Sequence, residues 1–197
     1  MLNGLKFLEE APDNLVSIRQ IGVLCQFTDR SVPPRSTLAQ FGLPADVYVA
    51  GRLDFDSEGL PLLTDDGALA HRLADPAHRQ PKTYLVQVEG VPTQGQLAAL
   101  RSGVALNDGP TRPAQAREIE PPSLWPREPP VRVRKTIADT WLELTISEGR
   151  NRRVRRMTAA AGLPTLRLVR VSIGPWRLGA LLPAHWRVCD GLARTPE

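Results

Sequence analysis

Cysteine, lysine and long apolar runs are scarce in this sequence. The two cysteines, Cys25 and Cys189, lie far apart and lack the close spacing of metal sites and disulfide-rich secreted domains. No apolar run approaches the roughly 20 residues that a membrane-spanning helix needs. The first residues do not combine a basic region with a continuous apolar one, as a secretory signal does. We therefore expect a soluble, cytoplasmic protein with no membrane partner.

Positive charge comes almost entirely from arginine and is concentrated toward the C-terminus. Residues 1–130 carry 12 basic and 16 acidic side chains, whereas residues 131–197 carry 13 basic and five acidic ones. The C-terminal third is therefore strongly basic, although the whole chain has a net charge of only +4. Clustering of this kind is typical of a surface that meets a polyanion, and nucleic acid is the first candidate partner.

Apolar periodicity predicts several short strands and three short helices. The predicted strands are residues 23–27, 46–51, 60–64, 82–90, 104–107, 111–120, 139–147 and 164–174. The predicted helices, each stopped by a proline or a glycine, are residues 67–76, 93–103 and 149–162. Because the helices do not alternate strictly with the strands, we expect an α+β fold around a mixed, mostly antiparallel sheet.

Proline interrupts the chain between two predicted strands. The segment EPPSLWPREPP, residues 120–130, holds five prolines in eleven residues. Such a segment can form neither a helix nor a central strand, so it is predicted to be a surface loop or a hinge between two subdomains.

The segment GRLDFDSEGLPLLTDDG, residues 51–67, concentrates five acids in a basic chain. Asp54, Asp56 and Glu58 resemble the opening of an EF-hand calcium loop, with Asp65 at the twelfth position. Strands rather than helices are predicted on both sides, which argues against calcium. Asp54 and Glu58 could instead act as the two carboxylates of a glycosidase, although their short spacing alone is weak support.

A third interpretation is that most of these acids only form turns and helix caps. It accounts for Asp56, Ser57, Asp65 and Asp66. It accounts less well for Asp54, which follows a predicted strand in a segment bounded by glycines, where a ligand can approach the backbone. Asp54 is therefore the acid for which we expect a function beyond the turn.

Five arginines fall within the seven residues 150–156. On a helix, Val154 and Met157 would begin a buried stripe. The arginines that share a neighbouring face are Arg152, Arg155 and Arg156. So many like charges need counterions, which could be RNA phosphates on the outside and an aspartate on the inside.

Three segments together resemble, in order and spacing, the signature segments of a pseudouridine synthase family whose members act on single sites in ribosomal RNA. They are GRLDFDSEGLPLLTDDG (51–67), PKTYLVQVEG (81–90) and the stretch from SEGRNRRVRRM to PAHWR (147–187). The likeness extends over residues 22–190. It implies the catalytic fold of that family, a bent mixed sheet with flanking helices and an active-site cleft across the sheet.

The same resemblance implies a division of the chain into three parts. These are an N-terminal segment, a catalytic domain with a candidate hinge, and a C-terminal tail, at residues 1–20, 21–192 (hinge 120–131) and 193–197. The N-terminal part departs from the family, because IRQIGV stands where an Asn-Lys-Pro run is usual.

The resemblance further implies site residues and a substrate. Asp54 would be the essential carboxylate, Tyr84 the aromatic ring beside the uracil, and Arg155 the partner of the aspartate. The expected RNA-binding residues are Arg52, Lys82, Arg150, Arg152, Arg153 and Arg156, with Arg153 standing where relatives have glutamine. No cofactor and no metal are expected, and the substrate would be large-subunit ribosomal RNA, bound by a monomer.

Two other functions remain open from the residues alone. A non-catalytic RNA-binding or ribosome-assembly protein would use only the arginines. A glycosidase would use the carboxylates and release a free sugar or base.

Overall fold

Two β-sheets joined by a short crossing of the chain form the framework of the molecule. The computed structural model describes residues 15–17, 22–75, 78, 80–132, 134 and 136–189. The strands are β1 Leu15–Ser17, β2 Tyr48–Ala50, β3 Glu58–Gly59, β4 Leu62–Thr64, β5 Lys82–Glu89, β6 Ala105–Leu106, β7 Gly109–Pro110, β8 Gln115–Ile119, β9 Asp139–Ile146, β10 Thr165–Ile173, β11 Trp176–Arg177 and β12 Trp186–Val188. The helices are α1 Gly67–Ala74, α2 Gln94–Ser102, α3 Arg153–Ala160 and a 3-10 turn at Leu38–Phe41.

The larger sheet has the order β11-β10-β5-β9-β8, and β3 also pairs with β10. All its pairings are antiparallel except that of β3 with β10, which is parallel. Along β5 the buried residues alternate with partly exposed ones. Such alternation is expected of a strand that packs one face on the core.

The smaller sheet has the order β12-β1-β4-β2 and is antiparallel throughout. The chain passes from the larger sheet to the smaller one between β3 and β4, across residues 60–61. The acidic segment therefore lies at the junction of the two sheets.

The helices begin and end where local chemistry favours it. A reciprocal capping box between Thr93 and Gln96 starts α2, and Gly103 ends it. The Asp66 carboxylate caps α1 by accepting from the amides of Ala68 and Leu69.

Helix α3 is shorter than predicted at its start. It begins at Arg153 rather than at residue 149, because Arg152 has left-handed backbone angles (φ 49°, ψ 32°) that a right-handed helix excludes. Val154 and Met157 are buried, as the predicted stripe requires.

The largest apolar core lies between the six-stranded sheet and helices α2 and α3. Val86, Val88, Leu142 and Leu144 of the sheet are fully buried there, together with Met157 of α3. A second core joins α1, β4 and the end of β10, and a third lies beneath the 3-10 turn. The sheet and α3 are thus fixed to each other by packing.

The predicted α+β fold with a mixed, mostly antiparallel sheet is confirmed. The strand predicted over residues 23–27 is wrong: Leu24 makes a single bridge to Thr37. The chain between Leu24 and Thr37 contains Pro33 and Pro34, which lack the amide hydrogens that a continuous row of strand hydrogen bonds needs. The short strands β1, β3, β7, β11 and β12 were missed.

The proline-rich segment is irregular, as predicted. It connects β8 to β9, which are antiparallel neighbours in one sheet, so the strands on either side of it belong to the same sheet. The domain boundaries predicted at residues 20/21 and 192/193 lie outside the described residues. Among the helices that the structure describes, none has the length and apolar composition needed to cross a membrane.

Candidate active site

Asp54 opens a tight turn just before β3. The amide of Ser57 donates to the backbone oxygen of Asp54 at 2.9 Å, which places Phe55 and Asp56 at the tip. Leu53 and Ser57 are buried on either side of the turn, while Asp54 is half-buried. The turn therefore anchors Asp54 while leaving its carboxylate partly open to the outside.

Two arginines of the α3 region bind Asp56 and so hold this turn in place. Arg152 donates to both carboxylate oxygens of Asp56, at 2.9 and 2.8 Å. The Nε of Arg155 lies 3.2 Å from Asp56 Oδ2, and its Nη2 donates to the backbone oxygen of Asp56 at 2.7 Å. Arg155 also donates to the backbone oxygen of Thr165, at 3.2 Å, so it links the turn to β10. We call Asp56, Arg152 and Arg155 the Asp56 cluster.

The carboxylate of Asp56 is stabilised by the two arginines that bind it. Burial acts to raise the pKa of the Asp56 carboxyl, but the hydrogen bonds from Arg152 and the positive charges of both arginines outweigh it and lower the pKa. Burial lowers the pKa of the Arg155 guanidinium, while the charges of Asp56 and Asp54 act to raise it. Asp56 is therefore held as a carboxylate.

The backbone of Arg152 is adapted to this role. A left-handed conformation at a residue other than glycine costs about 1–2 kcal/mol. Here it occurs immediately before α3, at a residue whose guanidinium forms a bidentate pair with Asp56. The local cost thus falls at the point where the helix meets the turn that begins at Asp54.

Arg155 was predicted to be the partner of Asp54. In the structure its ion pair is with Asp56, and the charge of Asp54 also favours its charged form. The charge of Asp54 likewise acts to raise the pKa of Arg152. A direct contact of Arg155 with Asp54 during the reaction stays a prediction.

The Glu58 carboxylate is part of a buried hydrogen-bond network. Its side chain is 2% exposed, and Arg167 donates to both of its oxygens at 2.9 Å. The indole nitrogen of Trp125, from the proline-rich segment, donates to Glu58 Oε2 at 2.8 Å. A carboxylate enclosed in this way cannot reach a sugar, so the pairing of Asp54 with Glu58 as a glycosidase is ruled out.

The same contacts oppose a calcium site in the acidic segment. Asp56 and Glu58 each receive two hydrogen bonds from an arginine, and these positive charges would repel a cation. Among the described residues, no group of three or more potential ligands is placed to hold a metal ion.

Tyr84 and Lys82 lie on the same face of β5. Tyr84 is 8% exposed and packs in the largest core, opposite Arg170 of β10. Lys82 is half-buried, and its Nζ donates to the backbone oxygen of Gln80 at 3.2 Å. Burial and the charge of Arg170 lower the pKa of the Lys82 ammonium. The catalytic part of Tyr84 and the RNA contact of Lys82 stay predictions, as does that of Arg52, which is exposed.

The other arginines of the run converge on a second carboxylate, Asp108, between β6 and β7. Arg150 Nη1 lies 3.5 Å, Arg153 Nη1 3.6 Å and Arg156 Nη2 2.5 Å from its oxygens. The hydrogen bond from Arg156 is the largest cause that lowers the pKa of Asp108, to about 2. We call Asp108, Arg150, Arg153 and Arg156 the Asp108 cluster.

Arg153 does not fit the predicted phosphate contact. Its side chain is only 2% exposed and is enclosed by Asp108 and by Glu148, whose Oε2 lies 3.1 Å from Arg153 Nη2. A phosphate could reach it only by displacing one of these acids. Arg150 and Arg156 are partly exposed, and their contact with RNA stays a prediction.

Sequence reasoning missed two buried arginines of β10. Arg167 binds Glu58, and Arg170 binds backbone oxygens of the acidic segment. A signal was present, because both arginines interrupt the apolar strand TLRLVRVSI. A charge within a central strand indicates a buried, paired group, but its partners lie more than 100 residues away and leave no local trace.

Comparison with known proteins identifies the arrangement. Residues 20–160 match the family model described as RNA pseudouridylate synthase. The chain is 76% identical over 163 residues to the ribosomal large subunit pseudouridine synthase E of Xanthomonas axonopodis pv. citri, covering 82% of this chain and 86% of the relative. It is 69% identical over 176 residues to the protein of that name from Xanthomonas campestris pv. campestris, covering 89% and 94%.

A solved structure supports the same assignment. The crystal structure of a pseudouridylate synthase superposes with a TM-score of 0.72 at 32% identity, covering 89% of this chain and 69% of that one. Sequence and fold agree over most of the described residues. The chain therefore belongs to the RNA pseudouridylate synthase family.

Proposed function

We propose that this chain isomerises one uridine of large-subunit ribosomal RNA to pseudouridine, with Asp54 as the essential carboxylate. The names of its relatives supply the substrate class. The geometry that carries the proposal is the turn 54–57, which Arg152 and Arg155 fix through Asp56 so that Asp54 is held at its start. A fixed carboxylate beside buried positive charge can act on a sugar carbon.

The reaction rearranges bonds within one nucleotide. The bond from ribose C1′ to uracil N1 breaks, the base turns, and C1′ joins C5, whose proton then leaves while N1 gains one. Nothing is oxidised or reduced. The side chains therefore have to supply only a carboxylate, a place for the base and a route for the proton.

Asp54 can serve in either of two ways. It can attack C1′ as a nucleophile, or it can remove a proton from C2′ to give a glycal. Both routes require the carboxylate form, and the nearby arginines favour a negative charge at this place. Tyr84 would offer its ring to the uracil and its phenol to the proton on C5.

The target uridine has to leave its stack before it can react. Phosphates on either side would be held by cations that are at least partly exposed. The proposed RNA-binding residues are Arg52, Lys82, Arg150, Arg152 and Arg156. Arg52 lies within the acidic segment and Lys82 begins β5, whereas Arg150 and Arg156 extend the basic surface from the start of α3 to the β6–β7 hairpin.

Mapping of pseudouridine in ribosomal RNA tests the function directly. We expect one position of the large-subunit RNA to lose its pseudouridine when the gene is deleted, and to regain it with the wild-type gene but not with Asp54→Asn. Asp65→Asn, an exposed acid of the same segment, should restore it fully. An unchanged map in the deletion strain would refute the proposed substrate. Restoration by Asp54→Asn would instead refute the role of Asp54.

A further inference from the structure

A fully buried arginine stands at the base of the segment that carries Asp54. Arg170, in the middle of β10, is 2% exposed. Its Nε donates to the backbone oxygen of Leu60 at 2.7 Å, its Nη1 to that of Arg52 at 3.3 Å and its Nη2 to that of Gly51 at 3.1 Å. All three nitrogens of one guanidinium are therefore used on backbone oxygens.

These oxygens lie at the two ends of one segment. Gly51 and Arg52 are its entry, Leu60 is its exit, and Asp54 lies between them. The exit is tied a second time, because the amide of Leu60 donates to the backbone oxygen of Arg170 at 2.9 Å. Arg170 thus closes the segment into a loop of fixed width.

The backbone packs tightly at this closure. Gly59 has φ +99°, and a Cβ at this position would overlap the backbone oxygen of Arg170 and lie 2.8 Å from its nitrogen. On the other edge of β10, Arg170 is the register partner of Tyr84. One residue therefore connects the strand of Tyr84 to both ends of the Asp54 loop.

We infer that Arg170 is a positioning residue for the isomerisation: it holds the loop 51–60 at the width that places Asp54 against the target ribose. This inference rests on the proposed function. Arg170 acts through the loop backbone and need not touch the RNA.

Only arginine has the geometry for this task. Its planar guanidinium presents donors in several fixed directions, whereas the ammonium of lysine offers three donors from a single atom. Here each of the three carbonyl oxygens meets a different nitrogen of the guanidinium, an arrangement that the single nitrogen of lysine cannot reproduce. Because each oxygen is a backbone group, the sequence of the loop itself gives no sign of the contact.

The first test compares two buried arginines, only one of which binds the loop. Arg170→Lys should slow single-turnover isomerisation at saturating enzyme roughly 30-fold, since a misplacement near 1 Å typically costs about 10²-fold. Its affinity for the RNA should stay within about threefold of wild type, because Arg170 is buried. Arg153→Lys, which disturbs the contacts with Asp108 and Glu148 outside the loop instead, should lower the melting temperature but slow the reaction less than about threefold.

Equal rates for the wild type and Arg170→Lys would overturn the inference, as would equal slowing by the two arginine variants. A wild-type protein that forms no pseudouridine would instead refute the proposed function. The two failures are therefore distinguishable.

A second pair of variants reaches the loop without touching Arg170, in case Arg170→Lys does not fold. Gly51 and Gly90 both have positive φ, +91° and +95°, and neither has an atom within 4 Å of an added Cβ. Alanine at either position strains the backbone to a similar extent. Gly51→Ala should slow single turnover about tenfold at unchanged RNA affinity, because it distorts the entry that Arg170 binds. Gly90→Ala should leave the single-turnover rate unchanged. Equal rates for the two alanine variants would overturn the inference.

Discussion

The Asp56 cluster and the Asp108 cluster are built from the same run of arginines yet differ in what they hold. The two acids are equally exposed, Asp56 at 37% and Asp108 at 38%, and each cluster encloses one arginine, Arg155 at 13% and Arg153 at 2%. In the first cluster, the enclosed Arg155 ties a turn that begins at Asp54 to β10. In the second, Asp108 lies on the β6–β7 hairpin and also meets Arg150 and Arg156, which are 57% and 33% exposed.

The difference shows how one basic segment can serve two purposes. A partly buried ion pair fixes geometry, because neither partner can leave without exposing an unpaired charge to a dry environment. An exposed pair is screened by water and exchanges partners easily. The Asp56 cluster, through the enclosed Arg155, is therefore suited to orient the turn that begins at Asp54, whereas the exposed Arg150 and Arg156 of the Asp108 cluster are suited to exchange its carboxylate for an RNA phosphate.

The largest effect is expected at the residue that the Asp56 cluster positions. Asp54→Asn keeps the shape of the side chain and removes its charge, so single-turnover isomerisation should fall at least about 10³-fold, on the order of 4 kcal/mol of barrier. RNA binding, measured by filter retention, should survive. Asp65→Asn serves as the control, and normal turnover by Asp54→Asn would show that the turn carries no catalyst.

Exchanging one arginine in each cluster sharpens the contrast. Arg155→Lys keeps the charge but loses the fork that reaches both Asp56 and Thr165, so the rate at saturating enzyme should fall on the order of 10²-fold. Arg153→Lys should leave the rate near that of wild type. Identical rates for the two variants would remove Arg155 from the site.

A substitution in the Asp108 cluster should change the affinity for RNA rather than the rate of isomerisation. Asp108→Asn frees Arg150 and Arg156 from their internal carboxylate, so RNA affinity at low salt should rise about three- to tenfold and its salt dependence should steepen. The single-turnover rate at saturation should stay the same. Asp139→Asn, an acid paired with Gln87 on the far strand, is the matched control. Weaker binding by Asp108→Asn would mean that the cluster only braces the hairpin.

The smallest effect concerns acid stability. The pKa of Asp108 is lowered from 3.8 to about 2 in the folded protein, so its stabilising contribution is complete above the unfolded value and is lost as the pH falls toward 2. The pKa of Asp56 is also lowered in the folded protein. Melting temperatures measured from pH 5 to pH 2.5 should therefore decline less steeply in Asp108→Asn than in wild type. Parallel declines would show that Asp108 is unpaired in solution.

Sequence patterns correctly predicted the structural features that depend on residues close together in the chain. The strands β5 and β9, the end of α2 at Gly103 and the irregular proline-rich segment are all confirmed, because each follows from neighbouring residues. The family could be identified from motifs that are contiguous in sequence. The candidate positions Asp54, Tyr84 and Arg155 came from those motifs.

Partnerships between distant residues could not be predicted in this way. Asp56 was interpreted as a turn former, and the turn is present, but the bidentate pair with Arg152 joins residues 96 positions apart. Arg153 was assigned to RNA because it lies in a basic run, whereas the fold brings Asp108 and Glu148 against it. Composition shows that such charges need partners; only the packing of β6, β7 and α3 determines which ones.

The pairing of β3 with β10 has a consequence for the synthesis of the protein. Residues are added during synthesis at about 5–20 per second, and a domain generally folds as a unit. Asp54 is translated early, but the arginines that hold its loop, Arg155, Arg167 and Arg170, are made about 100 positions later. A nascent chain that stops before α3 thus contains Asp54 without any of these arginines, and we expect the loop to reach its final form only when β10 has left the translating ribosome.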